Sequence, residues 1–228
     1  DVNILSGVNG AGKSTTLKSI LGMVHPDEGA VRVFGMDYAA NEAAIRRELG
    51  VVLGGIDFYP KKKLGVITDV TRRVFRPWEA EKRRFYDNWV EGKYRHYLNL
   101  FAIDEEKRVD QLSSGMKVKY MIALALSHSA RLLILDEPTS GLDPVSRDEL
   151  TELLGRIVAD GTRSVLFSTH ITSDLEKCAT HIAFIKDGVM QYSGAIGDFR
   201  VQYRDMGDTL EDIIVKVERR PLDESAII

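Results

Sequence analysis

The chain of 228 residues holds a single cysteine, Cys178. One thiol excludes an intramolecular disulfide framework and a cysteine-rich zinc site, and it fits a reducing compartment. Long apolar runs are also missing. The longest uncharged apolar stretches, Met121–Leu126 and Leu132–Leu135, fall far short of the roughly 20 residues that cross a bilayer, so the expected membrane role is peripheral. Neither charge dominates: 31 Lys+Arg against 34 Asp+Glu leave a net charge of -3. That balance excludes a globally basic nucleic-acid binder, though not a local basic patch. The chain shows no internal repeat, no low-complexity tract and no signal-peptide pattern, and it begins at Asp1 rather than at methionine.

What is present is an ordinary globular mixture, 44% hydrophobic and 29% charged, long enough for one large domain with a sizeable core. Strand-like and helix-like stretches alternate, which predicts an α/β fold with a mostly parallel sheet. Val2–Ser6 reads as a short buried strand. A glycine-rich turn follows, then a helix to about Leu21, closed by Gly22. Ala30–Phe34 reads as a strand, Ala39–Leu49 as a helix with Gly50 just past its end, and Val51–Leu53 as a strand. Further on, Leu132–Leu135 and Ser164–Ser168 read as strands, and Val145–Ala159, Ser173–Ala179 and Leu210–Val217 as helices. His181–Lys186 and Val189–Tyr192 flank Asp187-Gly188, a two-residue hairpin signal.

The texture changes between Lys61 and Phe101. Both tryptophans (Trp78, Trp89) lie here with Phe75, Phe85, Tyr86, Tyr94 and Tyr97, and Lys61–His96 carries 11 Lys/Arg against 5 Asp/Glu. The pattern is helical throughout, so 59–110 is expected to form a helical subdomain inserted into an α/β core of 1–58 and 111–228.

Two segments carry chemistry. Gly7-Val8-Asn9-Gly10-Ala11-Gly12-Lys13-Ser14 matches the phosphate-binding pattern G-x-x-x-x-G-K-[ST]. Its glycines let the backbone curl so that successive N–H groups, those of Asn9 and Ala11 included, face one anion. Lys13 adds a point charge, the Ser14 hydroxyl can ligate Mg²⁺, and the helix that begins here, with Thr15 in its first turn, offers its positive end. The second segment, Leu132-Leu133-Ile134-Leu135-Asp136-Glu137, is an apolar strand ending in two carboxylates. Asp136 can reach the metal through water, and Glu137 can polarise a water attacking the γ-phosphate.

Together with three further motifs these segments resemble the ATP-binding-cassette (ABC) ATPases. Leu112-Ser113-Ser114-Gly115-Met116 stands where that family carries its LSGGQ signature. Ser140-Gly141-Leu142-Asp143 looks like its D-loop, and His170 like its switch histidine. The resemblance spans nearly the whole chain and looks closest to ATPase subunits of bacterial type-2 ABC exporters. It implies a P-loop NTPase core, ATP and Mg²⁺ as ligands, and ATP hydrolysis with Glu137 as base and His170 on the γ-phosphate. It further implies two copies, expected to be identical, closing head to tail. Ser113, Ser114 and Gly115 of one copy would then meet the phosphates held by the other, and Asp143 would couple the two sites. The helical subdomain would dock on an integral membrane permease subunit, at the cytoplasmic face of the cell membrane. No nucleic-acid partner is expected. The aromatics at Trp78–Tyr97 either face that permease or fill the subdomain's own core.

The chain departs from the family pattern at four places. Gly54-Gly55 stands where a glutamine usually follows the strand at Val51–Leu53, with Asp57 as a candidate substitute. Ser114 replaces a glycine, at a cost on the order of 1 kcal/mol if the backbone there has positive φ and none if it has not. Met116 replaces a glutamine. The stretch that supplies edge strands and an adenine-stacking aromatic has no counterpart before Asp1. Two other readings stay open: a soluble ABC ATPase acting on nucleic acid or ribosomes, and a nucleotide-binding regulator with little hydrolysis. Against the first, only about 100 residues separate Lys13 from Ser113, with no sustained heptads. His25, His96, His128 and His181 have no partner at metal-ligand spacing and read as structural or surface residues, and Cys178 as a small residue packed near a helix end.

Overall fold

The computed structural model describes residues 1–53, 59–75 and 89–218. The chain opens on β1 (Val2–Ser6), and the glycine loop leads into α1 (Lys13–Ile20). A short hairpin of β2 (Arg32–Val33) and β3 (Met36–Asp37) precedes α2 (Tyr38–Glu48) and β4 (Leu49–Val52). Next come α3 (Leu64–Phe75), α4 (Glu91–Leu100) and α5 (Ser114–Ser127), then β5 (Leu132–Asp136), α6 (Pro144–Val158), β6 (Ser164–Thr169) and α7 (Thr172–Cys178). The hairpin β7 (His181–Lys186) and β8 (Val189–Ala195) is followed by α8 (Ile196–Gln202) and α9 (Leu210–Glu218).

The main sheet has the order β4-β5-β6-β1-β7-β8, parallel except for the β7/β8 edge. Strands β4 and β5 and the middles of β1, β6 and β7 are apolar because helices cover both faces there, whereas the edge strand β8 is largely exposed. On one face Leu5, Ile134 and Ile185 pack with Leu17 and Leu21, from and just beyond α1, and with Ile45 of α2. On the other, Leu133, Leu135, Phe167 and Phe184 pack with Ile122 and Leu126 of α5, Leu150 and Leu154 of α6, Phe199 of α8 and Ile213 of α9. Each such side chain contributes about 1.5–3 kcal/mol by leaving water. The register pairs Ser6 with Thr169 and Asp136 with Ser168, so the C-terminal ends of β1, β5 and β6 form one row. That edge is where ligands bind in open α/β sheets.

The α/β P-loop architecture expected from the sequence is the one found, with local corrections. Of the strand expected at Ala30–Phe34 only Arg32–Val33 pairs as a strand. It turns at once through Phe34 (φ 54) and Gly35 (φ 76) to pair with Met36–Asp37 in a separate two-stranded sheet. The positive φ at both turn positions is that of a two-residue hairpin, a signal masked by Phe34. Gly50 is not a helix cap. Helix α2 ends at Glu48 and Gly50 lies inside β4, where an added Cβ would stand 2.7 Å from Ala125 Cβ. Close approach of α5, not a left-handed turn, is what requires glycine there. The hairpin at Asp187 (φ 48) and Gly188 (φ 78) forms as its residues predict.

Within 59–110 the described α-helices are α3 and α4, around a cluster of Leu64, Ile67, Trp89, Tyr94 and Leu98 with Tyr120 and Leu124 of α5. Thr68 Oγ1 lies 2.6 Å from the Tyr94 hydroxyl and 2.9 Å from that of Tyr120. Burial holds both phenols well above their ordinary range. Trp89 and Tyr94 therefore belong to the core, and Phe75 and Tyr97 are partly buried; Trp78, Phe85 and Tyr86 lie outside the described residues. Among the described basic residues here, Lys61 pairs with Asp110, Lys63 with Glu106, and Arg72 with Asp69 and Glu91.

Candidate functional site

The loop after β1 is shaped by its glycines. A Cβ on Gly7 would fall 2.3 Å from the Ile185 carbonyl oxygen, and Gly12 sits at φ 109 as the residue that opens α1. The β7/β8 turn braces the loop from outside, Gly188 N–H donating to Ala11 O at 3.0 Å. Ala11 is buried, whereas Asn9, Gly10 and Thr15 are exposed along the mouth. Lys13 is 5% exposed, and its ammonium donates to the carbonyls of Gly7 (2.8 Å) and Val8 (3.2 Å). A buried cation is tolerated only when so paired.

Asp136, the last residue of β5, receives two hydroxyls on the same oxygen. Ser14 Oγ donates to Oδ1 at 3.1 Å and Ser168 Oγ at 2.5 Å. Glu137 follows with φ 49, a left-handed conformation uncommon for a residue with a side chain. Its N–H is held by Ser168 twice, by Oγ at 2.9 Å and by the carbonyl at 3.2 Å. The turn directs its carboxylate between two groups: Oε1 is 3.4 Å from Lys13 Nζ, and Oε2 is 2.8 Å from His170 Nδ1. Gly7–Ser14, Asp136, Glu137 and His170 thus meet in one cluster.

The remaining residues singled out in the sequence form a second group. Ser113 caps α5, its hydroxyl accepting from Met116 N–H at 3.2 Å. Ser114 is the first residue of that helix and is not among the residues with positive φ, so replacing glycine there carries no backbone strain. Gly115 is buried, and an added Cβ would meet Ser146 at 3.3 Å. Ser146 in turn binds Asp143, which caps α6 by accepting from Val145 N–H, Ser146 N–H and Ser146 Oγ. The Ser146 hydroxyl, helped by those N–H groups, holds the Asp143 carboxyl below its usual range. The Ser113 side chain thus bonds within the first turn of α5 and that of Asp143 within the first turn of α6.

The donor set fits a hard divalent cation that keeps most of its water. The Ser14 hydroxyl and the Asp136 carboxylate are adjacent oxygens, as Mg²⁺ requires beside phosphate. Among the described residues no cluster of three or more His, Cys, Asp or Glu offers a self-sufficient metal cage.

Sequence reading missed two groups. Ser168 reads only as a strand residue, because its contact to Asp136 depends on the β5/β6 register. Asp174, buried on α7, accepts from Thr139 Oγ1 (2.6 Å) and Thr169 Oγ1 (3.4 Å), joining the segments that follow Glu137 and precede His170. Burial pushes its carboxyl up. Gly54, Gly55 and Asp57 lie outside the described residues. His128 is buried and stacked on Phe75 at 3.7 Å, with its pKa lowered by burial to about 4. Burial raises the pKa of Cys178, at the end of α7, to about 12.

A family model described as ABC transporter matches residues 1–140. The chain is 30% identical over 190 residues to the bacitracin transport ATP-binding protein of Bacillus licheniformis, covering 82% of this chain and 58% of that protein. It is 33% identical over 194 residues to Nod factor export ATP-binding protein I of Burkholderia orbicola (strain AU 1054), covering 84% and 60%. The chain thus spans less than two thirds of the length of these two relatives. A solved ATP-binding subunit of an ABC transporter superposes with TM-score 0.78 at 29% identity, covering 95% of this chain and 88% of that one.

Proposed function

Because the chain belongs to the ABC transporter family, we propose that it is the ATP-hydrolysing subunit of an exporter. The observation that carries this reading is the position of Glu137, its carboxylate between the phosphate-loop lysine and His170. With ATP bound, the loop N–H groups and Lys13 would hold the β- and γ-phosphates, and Ser14 and Asp136 would hold Mg²⁺, which spreads the developing charge. Glu137 would orient a water and take its proton as the new O–P bond forms and the bond to the β–γ bridging oxygen breaks. His170, anchored by Glu137, would donate to a γ-phosphate oxygen. Such general-base assistance contributes typically 10²–10⁴-fold.

The exposure of Ser113 and Ser114 at the start of α5 supports completion in trans. The helix N-terminus at Ser113–Gly115 is an anion site that a second copy's nucleotide would fill, with Asp143 beside it. Docking to a membrane permease is supported by α3, where Val66, Val70 and Val74 stand 50%, 60% and 73% exposed. They form a ridge at i, i+4 and i+8 beside a groove of about 460 Å³ lined by Ile67, Val74, Phe75 and Met121. A peripheral place at the cytoplasmic face of the membrane belongs to the same reading, through the permease partner; among the described residues no helix is long and apolar enough to cross a membrane. The two relatives named for bacitracin transport and Nod factor export support an export role.

The test is equilibrium MgATP binding and turnover by the wild type, Lys13→Ala and Glu137→Gln, with solution mass. Lys13→Ala should abolish binding. Glu137→Gln should bind, fail to turn over, and form a dimer only with MgATP. Wild-type affinity in Lys13→Ala, or wild-type turnover in Glu137→Gln, overturns the assignment.

A further inference from the structure

We infer that Ser168 is a positioning residue for ATP hydrolysis, tying the metal-side carboxylate to the general base through one hydroxyl. The inference rests on the hydrolytic reading above and extends it to a residue outside the family motifs that carry it.

A serine hydroxyl has one proton and two lone pairs. Ser168 Oγ spends its proton on Asp136 Oδ1 at 2.5 Å and accepts Glu137 N–H at 2.9 Å. Both partners are on the neighbouring strand end, and Ser168 is wholly buried, so water cannot take over either bond. A hydroxyl on an ionised carboxylate in such a place is among the stronger side-chain hydrogen bonds.

Each bond has a separate consequence. The first orients Asp136 so that Oδ1 faces both hydroxyls, Ser14 included, and Oδ2 is left for a cation's water shell. The second holds the N–H of a residue at φ 49. A left-handed non-glycine conformation is strained and persists only where its surroundings over-determine it. Ser168 supplies that constraint with two acceptors, Oγ and its own carbonyl. The φ of Glu137 is what sends its carboxylate toward Lys13 and His170, so Ser168 sets the aim of the base without touching the reacting atoms. Alanine keeps the carbonyl bond and the strand but removes the hydroxyl. Threonine keeps the hydroxyl and suits a strand.

The experiment compares the wild type, Ser168→Ala and Ser168→Thr as full chains. It reads melting temperature, ATP affinity in EDTA, kcat and KM with Mg²⁺, and amide exchange of the peptide spanning 132–142. In Ser168→Ala we expect kcat to fall on the order of tenfold, as loss of one charge-assisted hydrogen bond implies. ATP affinity in EDTA should stay within about twofold, and the Glu137 amide should exchange faster. Ser168→Thr should keep most of the wild-type kcat. Wild-type kcat and amide protection in Ser168→Ala overturn the inference. So does an equal loss of kcat in both variants, which would make packing and not the hydroxyl responsible. Loss of ATP affinity in EDTA also overturns it, since Ser168 would then support the loop as a whole. A wild type that neither binds nor hydrolyses ATP is a different result: it sinks the hydrolytic reading itself.

Discussion

Glu137 and His170 meet at 2.8 Å, Oε2 to Nδ1, at the ends of two adjacent parallel strands. The other carboxylate oxygen, Oε1, lies 3.4 Å from Lys13 Nζ. One carboxylate therefore engages the lysine of the phosphate loop and fixes the imidazole that faces the same space. A γ-phosphate would compete with it for Lys13.

That competition makes a prediction about binding as well as catalysis. Glu137→Gln removes the charge opposing Lys13. ATP affinity in EDTA should rise by up to about fivefold, the range of a partly exposed ion pair, while turnover falls by at least about 100-fold. ADP, which lacks the γ-phosphate but still sets its β-phosphate on Lys13, should gain less than ATP. Isothermal titration with both nucleotides checks this; equal gains for ADP and ATP would show that no such competition exists.

The serine in the signature segment should not be a defect. Ser114 begins α5 without positive φ and next to a capping serine. Restoring glycine should therefore leave MgATP-dependent association unchanged and lower stability by up to about 1 kcal/mol through unfolded-chain entropy. A gain in melting temperature on Ser114→Gly would contradict the conformation described here.

Glycine at position 50 should be required by space. An alanine Cβ would stand 2.7 Å from Ala125 Cβ and 3.1 Å from Ala130 Cβ, so Gly50→Ala forces β4 away from α5. Overpacking of this kind costs about 1–3 kcal/mol, read as a lower midpoint in urea. A midpoint at or above that of the wild type would rule out the close approach.

His128 gives a pH dependence whose sign is fixed. Its folded pKa is lowered to about 4 by burial, below the ordinary value of about 6.5. The unfolded chain therefore takes up the proton first, and stability falls as pH drops from about 6.5 toward 4, by about 3 kcal/mol in all from this group. Above pH 6.5 the group contributes no slope. Subtracting the curve of His128→Leu isolates this part from the acidic residues that titrate in the same range. A difference curve that is flat between pH 6.5 and 4 would show that the imidazole is charged in the folded state or not buried.

Much of the core was legible because its signals are local. The strand Leu132–Asp136 declares itself by an apolar run ended by a carboxylate, and the Asp187-Gly188 turn by its tolerance of positive φ. Gly50 and Phe34 misled for the same reason. Each was read from its neighbours in sequence, whereas Gly50 answers to Ala125 on a packed helix, and Phe34 adopts φ 54 in a turn that glycine or asparagine would have announced.

The sequence by itself determined the phosphate loop, since eight consecutive residues, Gly7–Ser14, contain the backbone curl, the lysine and the hydroxyl that one anion needs. It also placed Asp136 and Glu137 at a strand end and His170 after another. Only the tertiary structure decided how these pieces work together. The β5/β6 register sets Ser168 against Asp136 and Glu137, and the fold buries Asp174 between Thr139 and Thr169. Those contacts join residues about 30 positions apart, apart from Thr169 and Asp174. Strand pairing is non-local, so no spacing along the chain states which residue will stand opposite which.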